Sequence, residues 1–208
     1  MLGFIMKMKR DHSYVTEILD LGGGYGVRYT ENDPVIDIAD NIRQVSESLK
    51  ATAAGLGIDL PSIRLEPGRS IVADAGMTLY TVGTVKRIPG YKNYVSVDGG
   101  MTDNPRFALY RSPYTVFIAN KMNEKCDMEC SVVGRCCESG DIIQEHVMVP
   151  SSVCRGDICA VATTGAYNYS MASNYNRIGR LPVAMINNGK TSLAVLRETL
   201  EDIVANDM

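Results

Sequence analysis

The sequence predicts an α/β region over residues 1–80, followed over residues 81–208 by a mainly antiparallel β domain with a terminal helix. In the first region, short apolar runs that end in glycine alternate with a segment of helical periodicity, which is typical of parallel strands joined by helices. In the second, short runs rich in β-branched residues are separated by glycine, proline, asparagine and aspartate, which is typical of antiparallel sheets. Functional residues are therefore expected at the carboxyl ends of the parallel strands.

The α/β region is predicted to contain two strands and up to three helices. Asp33 as cap and Pro34 at the first helical position predict where the long helix begins, and Gly55 and Gly57 predict its end. The other predicted elements are strands at residues 18–21 and 63–65, a helix before the first strand and a helix within residues 70–80. Two strands are too few to close a barrel or to form a stable open sheet. We therefore interpret this region as the end of a larger domain.

The β domain is predicted from six runs rich in β-branched residues. They cover residues 94–97, 114–118, 131–133, 142–149, 158–163 and 183–186. After the last run, Leu193, Leu196, Leu200 and Ile203 recur at helical spacing, which predicts one apolar face of a terminal helix.

Composition excludes several classes of protein. The 208 residues are 45% hydrophobic and 22% charged, which is ordinary for a globular protein. A net charge of −3 with scattered basic residues argues against a nucleic-acid partner. No apolar run is long enough to cross a bilayer, and the first basic residues follow the apolar N-terminal stretch instead of preceding it as in a signal peptide. We therefore expect a cytoplasmic protein without membrane contact.

The six cysteines do not predict a metal site. None of their spacings is the paired two-residue spacing of a structural zinc site, and His12 and His146 lie apart from them. A disulfide framework is not expected without a secretory segment. Most of the cysteines are expected to be small buried apolar residues, with Cys137 as the exception.

Two loops that follow the predicted parallel strands could bind an anion. Residues 22–26, Gly-Gly-Gly-Tyr-Gly, expose backbone N–H groups that can converge on a phosphate, and a simple tight turn is an equal alternative. In the second loop, Glu66 stands at the strand end, Pro67 fixes the chain, Gly68 permits close approach, and Arg69 can hold an anion with paired donors. A solvated surface turn is the alternative here.

The β domain carries three further candidates. Arg106 and Tyr110 are four residues apart and could reach one carboxylate, although a surface loop is an alternative for residues 98–110. Cys137 lies next to Glu138 and could act as a general acid, or it could be a buried structural residue. Tyr167 could donate a hydrogen bond to a phosphate or carboxylate, or it could be a packed tyrosine.

In this order, the motifs resemble the fold-type III decarboxylases that use pyridoxal 5′-phosphate. The segments that carry most of the resemblance are residues 66–69, Glu-Pro-Gly-Arg, and residues 137–141, Cys-Glu-Ser-Gly-Asp. Glutamate directly after the cysteine is similar to the diaminopimelate decarboxylases within that family. The resemblance covers residue 15 to the C-terminus and implies the last βα units of a TIM-like (β/α)8 barrel followed by the β domain.

The resemblance also implies how the cofactor is held. Gly23, Gly24 and Gly26 would bind the phosphate, helped by the loop of Glu66, Pro67, Gly68 and Arg69. Glu66 would keep the pyridine nitrogen protonated, and Tyr167 would contact both cofactor and substrate.

For the substrate, meso-diaminopimelate, the resemblance implies a second set of residues. Those that would bind it are Arg69, Arg106, Tyr110, Glu138 and Tyr167. Glu138 would bind the distal ammonium, and Cys137 would return a proton to the substrate carbon after carbon dioxide leaves. In the family, this cysteine and glutamate enter the neighbouring subunit's site, which implies a homodimer.

One essential part of the family's chemistry has no counterpart in this sequence. The family's Schiff-base lysine lies on the first barrel strand, and none of the lysines here lies in a comparable setting. The resemblance therefore implies the C-terminal portion of a decarboxylase of the diaminopimelate type, inactive alone and dependent on an N-terminal half. Two alternatives are a non-catalytic dimerisation or regulatory partner of a full-length decarboxylase, and a decarboxylase of another basic amino acid such as ornithine or arginine.

Overall fold

The computed structural model describes residues 1–208, which form two compact units. Unit 1 comprises residues 1–28 and 32–72, and unit 2 comprises residues 29–31 and 73–208. No helix combines the length and the apolar character that a membrane span requires.

Unit 1 contains a parallel strand pair with helices around it. Its elements are α1 (Leu2–His12), β1 (Ile18–Asp20), α2 (Ile38–Leu56), β2 (Ser62–Arg64) and α3 (Gly68–Val72). β1 and β2 pair in parallel, with Leu19 opposite Ile63, as the βα pattern predicted. Leu19 is buried together with Leu2, Ile5 and Ala53, so the two long helices and β1 share one small apolar core.

The long helix α2 begins later than predicted. Asp33 and Pro34 precede it, and Asp37 is its N-cap, whose carboxylate accepts the Asp40 N–H at 2.9 Å. The predicted start at Asp33 is therefore wrong, because Asp37 satisfies the unpaired N–H of the first turn. The predicted end is confirmed at Gly57, which has a φ of 63°.

Unit 2 is built on a six-stranded mixed sheet. Its elements are β3 (Met77–Ile88), β4 (Lys92–Val97), α4 (Arg106–Tyr110), β5 (Val116–Ile118), β6 (Cys126–Val133), β7 (Ile142–Pro150), β8 (Ile158–Ala162), α5 (Asn168–Met171), β9 (Val183–Asn187), β10 (Lys190–Val195) and α6 (Leu200–Val204). The strand order is β5-β8-β3-β4-β6-β7, and only β4 and β6 pair in parallel. The main core is a cluster of buried residues that includes Val95, Val132, Ile143 and Val161 of four different strands. The mainly antiparallel sheet is as predicted.

The helix predicted within residues 70–80 is wrong. Only the five residues of α3 are helical, and the chain then enters β3, whose Met77 pairs with Ala162 of β8. Burial alternates from Met77 to Val82, with Tyr80 and Val82 buried and Thr81 between them exposed, and this period of two is that of a strand. β3 therefore runs across residues 80 and 81, where the sequence places a domain boundary. The division into domains 1–80 and 81–208 stays a prediction.

The C-terminal region also differs from the prediction. Residues 190–195 form a strand, β10, and only Leu200–Val204 are helical, so the predicted face of Leu193, Leu196, Leu200 and Ile203 does not exist as one helix. Asn188 and Gly189 both have positive φ, 49° and 73°, which is the geometry of a two-residue hairpin turn. This turn directs the chain back onto β9. Thr199 then starts α6 with a capping box that includes Asp202.

The cysteines are less buried than predicted. All six are free thiols, and only Cys130 and Cys159 are buried, at 2% and 0% exposure. Cys126, Cys137 and Cys154 are exposed. The expectation that most cysteines fill the core is therefore wrong, because half of them lie on exposed strand ends and loops.

Candidate functional site

Residues 22–26 form a turn directly after β1, here called the glycine turn. Gly22 and Gly24 have φ values of 72° and 92°, which residues with a side chain rarely adopt. The Asp20 carboxylate accepts the Gly22 N–H at 2.7 Å, and the Gly22 carbonyl accepts the Glu66 N–H at 2.8 Å. The turn is therefore fixed at its first residue, Gly22. Asp20 was not a candidate from sequence, although an aspartate two residues before a turn glycine is a known local signal.

The glycine turn lies in direct contact with the loop of residues 66–69. A Cβ at Gly23 would lie 2.1 Å from the Glu66 carbonyl oxygen, so only glycine fits there. The N–H groups of Gly23 and Gly24 form no hydrogen bond within the chain. The two predicted loops thus meet within unit 1. Unpaired backbone N–H donors at glycines, which have no side chain in the way, fit the phosphate group of pyridoxal phosphate.

The loop of residues 66–69 passes directly into α3. Glu66 is exposed, and the Ser70 hydroxyl donates to the Pro67 carbonyl at 2.8 Å, which fixes the start of the helix. Gly68 is the first helical residue, and Arg69 in the first turn is half-buried. The loop therefore presents a carboxylate at the carboxyl end of β2 and a guanidinium one turn later.

Arg106, the first residue of α4, is a buried cation among aromatic rings. The residue is only 8% exposed. Its guanidinium carbon lies 5.9, 5.6 and 5.0 Å from the ring centroids of Tyr29, Tyr110 and Tyr167, respectively. We call these four residues the arginine pocket. Such cation–π contacts stabilise a guanidinium without neutralising its charge.

The charge of Arg106 has no acidic partner in the chain. One guanidinium nitrogen, Nη2, donates to the Ser112 hydroxyl at 3.3 Å, while Nε is buried and has no hydrogen-bond acceptor. Burying a cation without a carboxylate partner costs free energy, and an anionic ligand would supply that partner. The structure brings together Arg106, Tyr110 and Tyr167, and this grouping supports a carboxylate site.

Residues 98–110, the segment that contains Arg106, do not form a surface loop, which was one alternative from the sequence. Thr102 and Asn104 are 1% and 0% exposed, and α4 itself lies in residues 98–110. Tyr110 remains 61% exposed, and Tyr167, 40% exposed, has a φ of 73°. The segment therefore packs its polar side chains inward at the sheet while it leaves two rings of the arginine pocket open to ligand.

Residues 136–141, here called the cysteine loop, connect β6 to β7. Cys137 is exposed, and its N–H donates to the Asn176 side-chain oxygen at 2.7 Å. The Glu138 carboxylate accepts the Gly140 N–H and the Ser139 hydroxyl, each at 3.2 Å, and the Tyr175 hydroxyl at 3.4 Å. These hydrogen bonds, first that of Gly140, lower the pKa of Glu138. Glu138 therefore stays anionic, as a ligand for an ammonium group requires.

Asp141 connects the cysteine loop to the segment that leads to Arg106. Its carboxylate is 4% exposed and accepts the N–H groups of Met101 and Cys136, both at 2.6 Å. A Cβ at Gly100 or Gly134 would lie 2.5 or 2.2 Å from an Asp141 carboxylate oxygen, so glycines enclose the carboxylate on two sides. Sequence reasoning did not assign this role, because the partner Met101 lies 40 positions away along the chain.

The candidates fall into two groups. The glycine turn and the loop of residues 66–69 belong to unit 1, while the arginine pocket and the cysteine loop belong to unit 2. Within unit 2, no hydrogen bond joins Cys137 to Arg106; Asp141 links their backbones instead. No group of three or more His, Cys, Asp or Glu side chains is arranged to hold a metal ion.

Comparison with known proteins identifies the family. Residues 13–165 match the family model described as pyridoxal-dependent decarboxylase, C-terminal sheet domain. The diaminopimelate decarboxylase of Bacillus subtilis (strain 168) is 49% identical over 197 residues, which cover 95% of this chain and 45% of the relative. That of Staphylococcus aureus (strain COL) is 44% identical over 203 residues, 98% of this chain and 48% of the relative.

Solved structures agree with the sequence relatives. Diaminopimelate decarboxylase from M. jannaschii is 32% identical, with a TM-score of 0.86 over 100% of this chain and 46% of that chain. The Helicobacter pylori enzyme, complexed with L-lysine, is 31% identical, with a TM-score of 0.83 over 98% of this chain and 48% of that chain. The chain thus spans about half the length of the relatives that it matches. It belongs to the pyridoxal-dependent decarboxylase family and matches the C-terminal portion of the diaminopimelate decarboxylases.

Proposed function

We propose that the chain is the C-terminal part of a pyridoxal-phosphate-dependent diaminopimelate decarboxylase, which converts meso-2,6-diaminopimelate to L-lysine and carbon dioxide in lysine biosynthesis. The relatives that carry this name support it over nearly the whole chain. The observation that carries the proposal is the contact between Gly23 and Glu66, since it sets unpaired phosphate donors beside a carboxylate. Unit 1 would supply the last βα units of a TIM-like barrel, and we expect the enzyme to be cytoplasmic.

The residues of unit 1 would hold the cofactor. Pyridoxal phosphate, when bound, supplies an electron sink for the bond-breaking step. The N–H groups of Gly23, Gly24 and Gly26 would bind its phosphate. Glu66 would accept a hydrogen bond from the pyridine nitrogen and keep that nitrogen protonated, while Pro67, Gly68 and Arg69 shape the same loop.

The residues of unit 2 would hold the substrate and return the proton. Arg106, with Tyr110, would bind a substrate carboxylate, and Arg69 and Tyr167 would contribute to the same purpose. Glu138, whose pKa is lowered, would bind the distal ammonium. Cys137 is exposed, so its thiol is accessible to a substrate carbon that needs a proton. As in the family, we expect a homodimer in which Cys137 and Glu138 serve the site of the neighbouring subunit.

The chain would need a lysine from elsewhere. None of its eight lysines lies in the glycine turn or in residues 66–69. Lys7 and Lys9 lie in α1 and Lys50 lies in α2, and the other five belong to unit 2. We therefore expect the imine-forming lysine to lie in the portion of the relatives that this chain does not match, on the same or on a separate polypeptide.

A hybrid enzyme tests this function. The portion of the Bacillus subtilis relative outside the matched region is joined to this chain, or mixed with it, in the presence of pyridoxal phosphate and meso-diaminopimelate. We expect release of lysine and carbon dioxide, and we expect Cys137→Ser to lower kcat by at least about a hundredfold, because the proton donor is lost.

Controls separate the alternatives. Ornithine and arginine are offered to the hybrid in parallel, and preference for either would contradict the proposed substrate. A folded hybrid that binds the cofactor and forms no lysine would contradict the proposed function. Co-purification of this chain with a full-length relative, without any gain in lysine, would instead support a regulatory partner.

A further inference from the structure

Tyr175 and Asn176 are two consecutive residues that bind two consecutive residues of the cysteine loop. The Asn176 side-chain oxygen accepts the Cys137 N–H at 2.7 Å, and the Tyr175 hydroxyl donates to the Glu138 carboxylate at 3.4 Å. The partners of these two hydrogen bonds are 39 and 37 positions apart along the chain. The cysteine loop is therefore held by a segment outside its own sequence.

The backbone at Asn176 has a conformation that few residue types adopt. Asn176 has a φ of 56° and a ψ of 22°, and Arg177 after it has a φ of 57°. Asparagine is one of the few residues with a side chain that visit this left-handed region readily. The Arg177 N–H donates to the Asn174 carbonyl at 2.8 Å, which closes the turn. The turn thus brings the Asn176 side-chain oxygen to the Cys137 N–H.

Glu198 fixes the segment that carries Tyr175 and Asn176. The Glu198 carboxylate accepts the Asn174 side-chain N–H at 2.6 Å and the Arg180 backbone N–H at 2.8 Å. It also accepts the Nε–H of the Arg180 guanidinium at 2.6 Å. One carboxylate therefore binds the chain on both sides of the two residues. Their position relative to the β domain is set by this support.

The donors that orient the Glu138 carboxylate are all neutral. They are the Gly140 N–H, the Ser139 hydroxyl and the Tyr175 hydroxyl. Partial burial, and then the charge of Glu138, raise the pKa of Tyr175, so its hydroxyl stays protonated and continues to donate. A lysine or arginine in its place would form an ion pair and compete with an ammonium ligand. Tyr175 therefore orients the carboxylate and leaves its negative charge available.

The hydrogen bond from Cys137 to Asn176 involves the backbone of the cysteine and not its thiol. It fixes the point from which the side chain starts, while the exposed Sγ is left accessible. A group that transfers a proton must lie within hydrogen-bond reach of the reacting atom, and a displacement of about 1 Å can cost on the order of a hundredfold in rate. Support of the Cys137 backbone is therefore expected to matter for the rate of proton return.

We propose that Tyr175 and Asn176 are positioning residues: Asn176 holds Cys137 where it returns the proton, and Tyr175 holds Glu138 where it binds the distal ammonium. This inference rests on the proposed function, since it assumes those roles for Cys137 and Glu138. It adds that the two roles have separate supports, one of which acts on kcat and the other on KM. In the expected homodimer, both supports belong to the subunit that contributes the cysteine loop.

Substitutions of Asn176 in the hybrid enzyme test the first support. Asn176→Gly tolerates a positive φ and lacks the acceptor, whereas Asn176→Asp keeps an oxygen acceptor. We expect Asn176→Gly to lower kcat about tenfold with KM for meso-diaminopimelate within about twofold, and Asn176→Asp to keep kcat within about threefold. Asn188→Gly is the matched control, because Asn188 also has a positive φ, 49°, in the β9–β10 turn, and it should change neither constant.

Tyr175→Phe tests the second support, because it keeps the ring and removes the hydroxyl. We expect KM for meso-diaminopimelate to rise about fivefold with kcat within about twofold. Inhibition by L-lysine, which has a distal ammonium, should weaken by a similar factor, while inhibition by norleucine, which lacks that ammonium, should not change. Tyr91→Phe is the matched control, since Tyr91 is 76% exposed at the β3–β4 turn, and it should leave all of these values unchanged.

The outcomes distinguish this inference from the proposed function. If the unsubstituted hybrid forms no lysine, the proposed function fails. If the hybrid is active and a folded Asn176→Gly variant keeps its kcat, or a folded Tyr175→Phe variant keeps its KM and its inhibition by L-lysine, that positioning role is wrong while the function stands. Equal losses in kcat from Asn176→Gly and Asn176→Asp would also contradict the role of the Asn176 oxygen.

Discussion

Gly23 is the residue at which the account of unit 1 can be tested most simply. Gly23→Ala would place a methyl group 2.1 Å from the Glu66 carbonyl oxygen, so the glycine turn and the 66–69 loop must separate. We expect unit 1 to lose about 1–3 kcal/mol of unfolding free energy, in the range for an overpacked site. We also expect weaker binding of pyridoxal phosphate by the hybrid, measured by absorbance titration.

A second glycine in the same unit is the control. Gly55 lies inside α2, and nothing lies within 4 Å of a Cβ placed there. Gly55→Ala should stabilise the helix by about 0.5–1 kcal/mol and leave cofactor binding unchanged. If both variants behaved alike, the contact between Gly23 and Glu66 would not be the source of the effect.

Asp103 predicts a pH dependence of stability. It is 6% exposed, its Oδ1 has no hydrogen-bond partner, and burial, above all other causes, raises its pKa from 3.8 to about 6. Between those values the unfolded chain releases this proton while the folded chain keeps it. The contribution of Asp103 to the unfolding free energy therefore falls as pH rises from about 4 to about 6, by on the order of 2–3 kcal/mol.

Asp103→Asn should remove this dependence. Denaturant unfolding of both proteins at several pH values gives the difference in unfolding free energy. As pH rises from about 4 to about 6, the variant should become more stable relative to the unsubstituted chain. Glu198, whose pKa is lowered to about 2 in the folded chain, contributes equally to both proteins, so its effect cancels in the difference. A difference that stays constant with pH would show that Asp103 is ionised in the folded chain.

Local chemistry predicted the residues that could contact a ligand, but not their supports. Arg106 and Cys137 stood out in the sequence because their side chains and neighbours suit carboxylate binding and proton transfer. Asp20 and Asp141 did not, since their roles depend on partners that folding supplies. Asp141, for example, accepts the N–H of Met101, 40 positions before it.

At the scale of elements, the sequence was reliable where one periodicity applied. The first strand, the body of α2 and the strands β4 and β6 to β8 were predicted in type. These segments have either a clear helical period or a dense run of β-branched residues, and their tertiary contacts agree with that local preference.

The errors at this scale arose where two signals competed. In residues 190–204, leucines at helical spacing favoured a helix, but the Asn188–Gly189 turn forms a hairpin with β9 and converts the first half to a strand. In residues 70–80, apolar and polar residues alternate only from Met77 to Leu79. The pairing of this segment with β8 decides that it forms a strand. Such long-range pairing is not visible in a local window.

At the scale of the whole molecule, unit 1 has features of an incomplete structure. Its two strands pair only with each other, and a two-stranded sheet is marginal by itself. Val35 and Ile71 are 80% and 66% exposed. Together with a match to about half of each relative, these features support the central claim that the chain contributes one portion of a decarboxylase site and requires another portion for the lysine.

Borohydride reduction in the presence of pyridoxal phosphate tests that claim most directly. The chain is reduced alone and together with the unmatched portion of the Bacillus subtilis relative, and mass spectrometry then locates the pyridoxyl group. We expect stoichiometric labelling of one lysine in the added portion and none in this chain. Stoichiometric labelling of one specific lysine among the eight of this chain would contradict the account.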